Sequence, residues 1–185
     1  MKLTEIDRNF EVKDTIARDG LVFRSARNRP MEINGIFWED GCFRRMPRQI
    51  ACGISEGVGL LHTNTAGGRV RFRTDSCRVA ISARMDQIGK MPHFALTGSA
   101  GFDLYGRNDG EERYLGTFVP PFDLIGGYES VLELGERKMR ELTIDFPLYS
   151  NVSDLQIGLE PGAVLEPPES NLFTSMVNFT SEDFL

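Results

Sequence analysis

The chain has 185 residues, 41% of them hydrophobic and 26% charged, which is enough for one domain with a real core and no disulfide or metal staple. Its net charge of −6, with Arg and Lys scattered along the chain, excludes a nucleic-acid backbone as the main partner, because that binding rests on clustered cations. No apolar run reaches the ~20 residues of a membrane span, and Met1–Arg8 is charged from the start without an apolar signal core, so no membrane partner and a cytoplasmic location are expected.

Residues 1–15 differ in composition from the middle of the chain and read as an N-terminal arm. Beyond them the pattern is β, with one short helical turn expected near 46–51. Arg69-Val70-Arg71-Phe72-Arg73-Thr74 alternates strictly, which puts Val70 and Phe72 on one face and three arginines on the other. After Asp75-Ser76 the alternation resumes in Arg78–Arg84, with Val79, Ile81 and Ala83 inward; two such runs so close together read as a hairpin. Shorter strands are expected at 93–98, 102–106, 113–119 and 129–134, and a second helical turn at 122–125. Asn108-Asp109-Gly110-Glu111 reads as a hairpin turn, because Asn, Asp and Gly tolerate positive φ. In 139–146 the residues Leu142, Ile144 and Phe146 share a face, and 155–159 repeats the pattern.

About eight to ten half-buried strands at this spacing predict an all-β fold, an antiparallel β-sandwich of jelly-roll type, filling residues 1–168 as a single domain. Residues 169–185 come after the linker-like Glu166-Pro167-Pro168 as a tail carrying Leu172, Phe173, Met176, Val177 and Phe179. Such a tail packs back on the sandwich or pairs with a second copy.

Little in the sequence carries chemistry. Cys42, Cys52 and Cys77 form no CxxC pair and read as buried free thiols in a reducing compartment. Nucleophilic hydrolysis needs a Ser or Cys, a base and a group to orient the base, and the chain has two histidines, His62 and His93. Thr97-Gly98-Ser99-Ala100-Gly101 approaches a nucleophile elbow, but Thr97 stands where its first glycine belongs and no amphipathic helix comes after it. Ser99 therefore reads as a small residue in a tight turn, and Thr74-Asp75-Ser76 as turn chemistry. No catalytic residue is assigned. With no paired carboxylates near either histidine, no metal site is expected, and without phosphate-loop spacing ahead of a helix no cofactor is expected either. His93 is placed in the core or an interface, and His62 equally on a loop near a cleft.

Two surfaces remain as binding candidates. Arg69, Arg71 and Arg73 read as a solvated face with cross-strand carboxylate partners; the alternative is that Arg71 and Arg73 grip an anionic partner or another domain. A glycan-binding face would use exposed aromatic rings, and Trp38, in Gly35-Ile36-Phe37-Trp38-Glu39-Asp40, is the single tryptophan, with Tyr105, Tyr114, Tyr128 and Tyr149 as further candidates. Trp38, Asp40, His62, Arg71 and Arg73 are thus the candidate binding residues.

The run Gly101-Phe102-Asp103-Leu104-Tyr105 resembles the GxDLY signature of the domain that precedes SGNH-type (GDSL-like) esterases. Arg71-Phe72-Arg73-Thr74-Asp75-Ser76 upstream, and Phe146-Pro147-Leu148-Tyr149, Gly162-Ala163 and Glu166-Pro167-Pro168 downstream, agree with it in order, so the resemblance covers about residues 15–168. It implies a jelly-roll sandwich attached to an α/β hydrolase domain with a Gly-Asp-Ser or Gly-Ser-Ser block and a later Asp-x-x-His. Only 17 residues come after Pro168, without such a block, and Gly59 and Lys90 stand three residues before the two histidines, so the family's triad is carried to no residue.

The resemblance therefore implies a non-catalytic accessory domain. It would dock on an SGNH hydrolase domain in cis or trans, shape the mouth of that site, or mediate oligomerisation as a two-fold dimer. Gly101, Asp103, Leu104 and Tyr105 would be structural, Asp103 capping a turn and Tyr105 anchoring its strand through the hydroxyl. The alternatives are a carbohydrate-binding module and a piece of a larger acyl-ester hydrolase.

Overall fold

The computed structural model describes residues 15–18, 20–108 and 111–169. The N-terminal arm before Thr15 and the apolar group of the C-terminal tail lie outside them. In chain order the elements are β1 (Thr15–Arg18), β2 (Leu21–Ser25), β3 (Glu32–Asn34), β4 (Phe37–Glu39), β5 (Cys42–Arg44), α1 (Arg48–Ile54) and α2 (Glu56–Leu61). Next come β6 (Arg69–Thr74), β7 (Arg78–Arg84), α3 (Leu96–Ala100), β8 (Phe102–Asn108), β9 (Glu111–Phe118) and β10 (Gly127–Glu133). The series closes with β11 (Arg140–Asp145), β12 (Asp154–Leu159) and β13 (Leu165–Glu166).

The architecture is an antiparallel β-sandwich. One sheet has the order β1-β2-β12-β7-β10, and the other β13-β6-β11-β8-β9, with β3 sharing the β6 edge with β13. A separate two-stranded hairpin joins β4 and β5. The alternation seen in the sequence decides what lies between the sheets. Val79, Ile81, Leu155 and Ile157 come from the first, and Val70, Phe72, Leu104, Leu142 and Ile144 from the second; all are buried in one cluster. Burying each such side chain contributes about 1.5–3 kcal/mol. Phe146 links the cluster to Phe43 and Phe102, with ring centroids 5.2 and 5.4 Å away.

The strands that no named run covers are β1 and β2, within the general β pattern, and the short β3, β4, β5 and β13, which hold two or three residues and cannot show an alternation. Further differences lie in the connections. The runs 69–74 and 78–84 do not form a hairpin: β6 belongs to one sheet and β7 to the other. Residues 75–77 step across the sandwich because the 160–164 segment supplies their partners. Cys77 N donates to Glu160 Oε2 at 2.9 Å, Thr74 Oγ1 donates to Val164 O at 2.6 Å, and Val164 N donates to Asp75 Oδ1 at 2.8 Å.

The expected strand at 93–98 is instead a turn leading into α3, whose Gly98 and Ser99 amides donate to Ala95 O. Residues 122 and 123 form a turn rather than a helical segment. The expected hairpin of β8 and β9 is present, with Asn108 paired to Glu111; Asp109 and Gly110 lie outside the described residues. Of the cysteines only Cys42 is buried, and burial pushes its thiol pKa up; Cys52 is exposed on α1, and Cys77 is half-buried.

Candidate functional site

The pair registers place Arg69, Arg84, Phe102, Phe118, Gly127, Asp145 and Asp154 at one end of the sandwich. The segments 26–31, 62–68, 85–101 (which carries α3), 119–126 and 146–153 all leave from it, and so does the β4–β5 hairpin, whose Phe43 N donates to Val152 O at 2.9 Å. Asp40 and Gly41 make its turn, with φ of 48° and 80°. Both central residues at positive φ is the type I′ geometry that Asp-Gly favours. Asp40, a binding candidate from the sequence, thus also makes a hairpin turn, for which Asp-Gly between Trp38 and Phe43 is the signal.

Arg44 ties the hairpin to the helices. Its side chain is 7% exposed, its Nε lies 3.3 Å from Glu39 Oε2, and Nη2 lies 3.9 Å from Asp40 Oδ2. Arg44 Nη1 donates to His62 Nε2 at 2.6 Å, and His62 Nδ1 donates to Gly59 O at 2.8 Å. An arginine has no acceptor, so His62 carries its proton on Nδ1 and both ring nitrogens are engaged within the chain. Glu39 also accepts from Arg48 N at 3.2 Å, capping α1, which has no side-chain cap of its own at Pro47. α2 is capped by Ser55 Oγ, which accepts from Val58 N at 3.2 Å. Replacing His62 with Phe is expected to cost about 1.5–3 kcal/mol, the range for a hydrogen bond to a charged group, read as a lower urea midpoint with unchanged slope.

Beside this hub a cleft of about 430 Å³ is lined by Arg27, Trp38, Gly41, Arg84, Asp86, Ser153 and Asp154. The Arg27 guanidinium lies over the Trp38 ring, 4.1 Å from its centroid, while the Phe43 ring meets Trp38 edge-on at 5.1 Å. The fold brings these residues from separate stretches of the chain, and no local motif marks them.

The same end presents exposed apolar side chains from several of its loops. Phe122 is 95% exposed, Ile125 87%, Leu60 68%, and Ile54, Val119, Leu148 and Tyr149 are also open to solvent. His93 is exposed here too, not in the core. Ser99 is fully buried, and its hydroxyl donates to Leu96 O at 3.3 Å.

The outer face of the β6–β11–β8–β9 sheet holds the arginine stripe and the polar half of the motif. Reading across the strands, one row is Asn34, Arg69, Asp145, Asp103 and Thr117; the next is Glu32, Arg71, Thr143, Tyr105 and Tyr114. Each arginine of the stripe has a carboxylate: Arg69 with Asp145 at 3.2 Å, Arg71 with Glu141, and Arg73 with Glu166 at 3.4 Å. Burial among these groups, offset by Arg69, pushes the Asp145 pKa up.

Every position of Gly101–Tyr105 has a place in this arrangement. A methyl at Gly101 would sit inside the carbonyl oxygen of Thr97 in α3, to which Gly101 N donates at 2.9 Å. Phe102 and Leu104 are fully buried in the core. Asp103 Oδ1 accepts from Thr117 Oγ1 at 2.5 Å, joining two strands instead of capping a turn. Tyr105 meets Tyr114 edge-on at 5.7 Å, so it is the ring that packs across to β9.

Three comparisons bear on this arrangement. The family model described as the GxDLY N-terminus of SGNH hydrolase-type esterases matches residues 21–165. The chain belongs to this family. No curated protein matches the GxDLY chain. Among solved structures, a Bacteroides ovatus protein described as a GDSL-like lipase aligns at TM-score 0.71 and 22% identity over 81% of this chain. A salicylyl-acyltransferase from a tetracycline biosynthetic pathway aligns at TM-score 0.59 and 23% identity over 84% of it. At these identities the likeness is one of fold, and the GxDLY chain spans 44% of the length of each. No helix among the described residues is long and apolar enough to cross a membrane, and none of their His, Cys, Asp and Glu side chains group by three as a metal site would need.

Proposed function

We propose that this GxDLY domain is an accessory module that docks on an SGNH hydrolase domain, in cis or in trans, through the end of the sandwich that carries α1, α2 and the 119–126 loop. The observation that carries the reading is that Phe122, Ile125, Leu60, Ile54 and Val119, on segments that leave from that one end, are each more than half exposed. Apolar side chains gathered in this way mark interaction surfaces, and the two solved structures it resembles are about twice its length. The domain itself contributes no hydrolytic group in this reading, so p-nitrophenyl acetate hydrolysis by the chain alone stays at background and is unchanged by Ser99→Ala.

Sedimentation with an added SGNH hydrolase domain tests the docking. A one-to-one complex that is lost in the Phe122→Ser/Ile125→Ser double variant is expected. A dimer of this chain alone, lost in the same variant, would give the surface to a second copy instead. A monomer that ignores the hydrolase would overturn the proposal.

A further inference from the structure

The cleft beside Trp38 differs from the charged face of the sheet in one respect. On the sheet face Arg69, Arg71 and Arg73 each have a carboxylate of the chain itself. In the cleft, the side-chain charges of Arg84, Asp86 and Arg27 form no hydrogen bond or ion pair with any described residue, although both signs of charge line the same space. Asp154 is held by a hydrogen bond from Gln156 Nε2 at 3.2 Å, and the Ser153 hydroxyl donates to Arg84 O at 3.3 Å. Two guanidiniums and two carboxylates leave the lining with no net charge.

We propose that this cleft binds a neutral saccharide. A hydroxyl both donates and accepts, so a lining that holds both carboxylate acceptors and guanidinium donors suits it, and vicinal hydroxyls match the two-toothed forks of both. An anionic or cationic ligand would meet a like charge in the same lining. The Trp38 ring holds the Arg27 guanidinium in the cleft, 4.1 Å from the ring centroid, and the guanidinium brings N–H donors to the same space. The volume of about 430 Å³ is in the range of small-ligand sites. The cleft opens at the same end as the proposed docking surface, and saccharide binding there stands independently of whether a hydrolase domain docks.

Trp38 is the single tryptophan of the chain, so tryptophan fluorescence reports the surroundings of this one ring in the cleft wall. The isolated chain is titrated with cellotetraose, xylotetraose, mannotetraose and chitotriose, and with tetragalacturonate as a charged comparison. A saturable change in intensity or wavelength at millimolar concentration of at least one neutral oligosaccharide is expected. Arg84 and Asp86 are exposed, so Arg84→Ala and Asp86→Ala leave the core intact; each is expected to weaken the response about tenfold. A flat signal with every neutral sugar, a response unchanged in both variants, or a response confined to tetragalacturonate would overturn the proposal. None of these readings involves a hydrolase, so failure of the docking surface leaves them unaffected.

Discussion

Gly101→Ala is expected to destabilise the domain by about 3 kcal/mol, the upper part of the range for overpacking a site that cannot open. At this chain length that corresponds to a melting temperature lower by about 6–12 °C. Gly101 has φ −79° and ψ 156°, a conformation that alanine adopts freely, so backbone strain contributes nothing. The cost comes from space alone: the obstacle is the Thr97 carbonyl, which is backbone and is already engaged by Gly101 N. Gly53→Ala on α1 is the matched comparison. Nothing lies within 4 Å of a methyl there, and alanine in a helix is better than glycine by about 1 kcal/mol. A Gly101→Ala protein that melts with the parent would mean that α3 slides freely on β8.

Glu141→Ala is expected to have a comparable effect, about 3 kcal/mol, for the opposite reason: a group is left behind. The Arg71 and Glu141 side chains are 10% and 8% exposed. Removing one member of a buried pair takes a carboxylate from a buried charge, at about 3 kcal/mol, the lower end of the range for breaking such a pair, whereas replacing both with apolar groups is often neutral. The double variant Arg71→Met/Glu141→Leu is therefore expected to be more stable than Glu141→Ala in urea denaturation. If the double variant were the worse of the two, the pair would contribute more through attraction than it loses through desolvation. High salt is expected to leave the difference in place, since buried charges are poorly screened.

The sandwich is legible in the sequence where one face is apolar. Val70 and Phe72, Val79 and Ile81, Leu142 and Ile144 report their strands and which side faces inward, because the side-chain period of a strand is two. Alternation does not report which sheet a strand joins, and that is why 69–84 reads as a hairpin in sequence and crosses the sandwich in space. The partners that pull residues 75–77 across, Glu160 and Val164, lie more than eighty residues downstream. The cleft is less legible still. Trp38 stands out by composition, but Arg84, Asp86 and Asp154 have nothing local to mark them, because strand ends far apart in sequence meet only after the sheets form. The family motif is visible in the sequence as a word, and the structure explains it residue by residue: a space requirement at Gly101, two core positions, and two cross-strand contacts.

The strand β9 forms one border of its sheet, and its first residues, Glu111, Glu112 and Arg113, are exposed charges. A register shift falls opposite it between Leu104 and Tyr105. A ragged, charged border of this kind offers no straight ladder of amides for another chain to zip onto. Fibre-like growth by strand addition is thereby disfavoured along that side, a protection that the charges and the irregular register supply together.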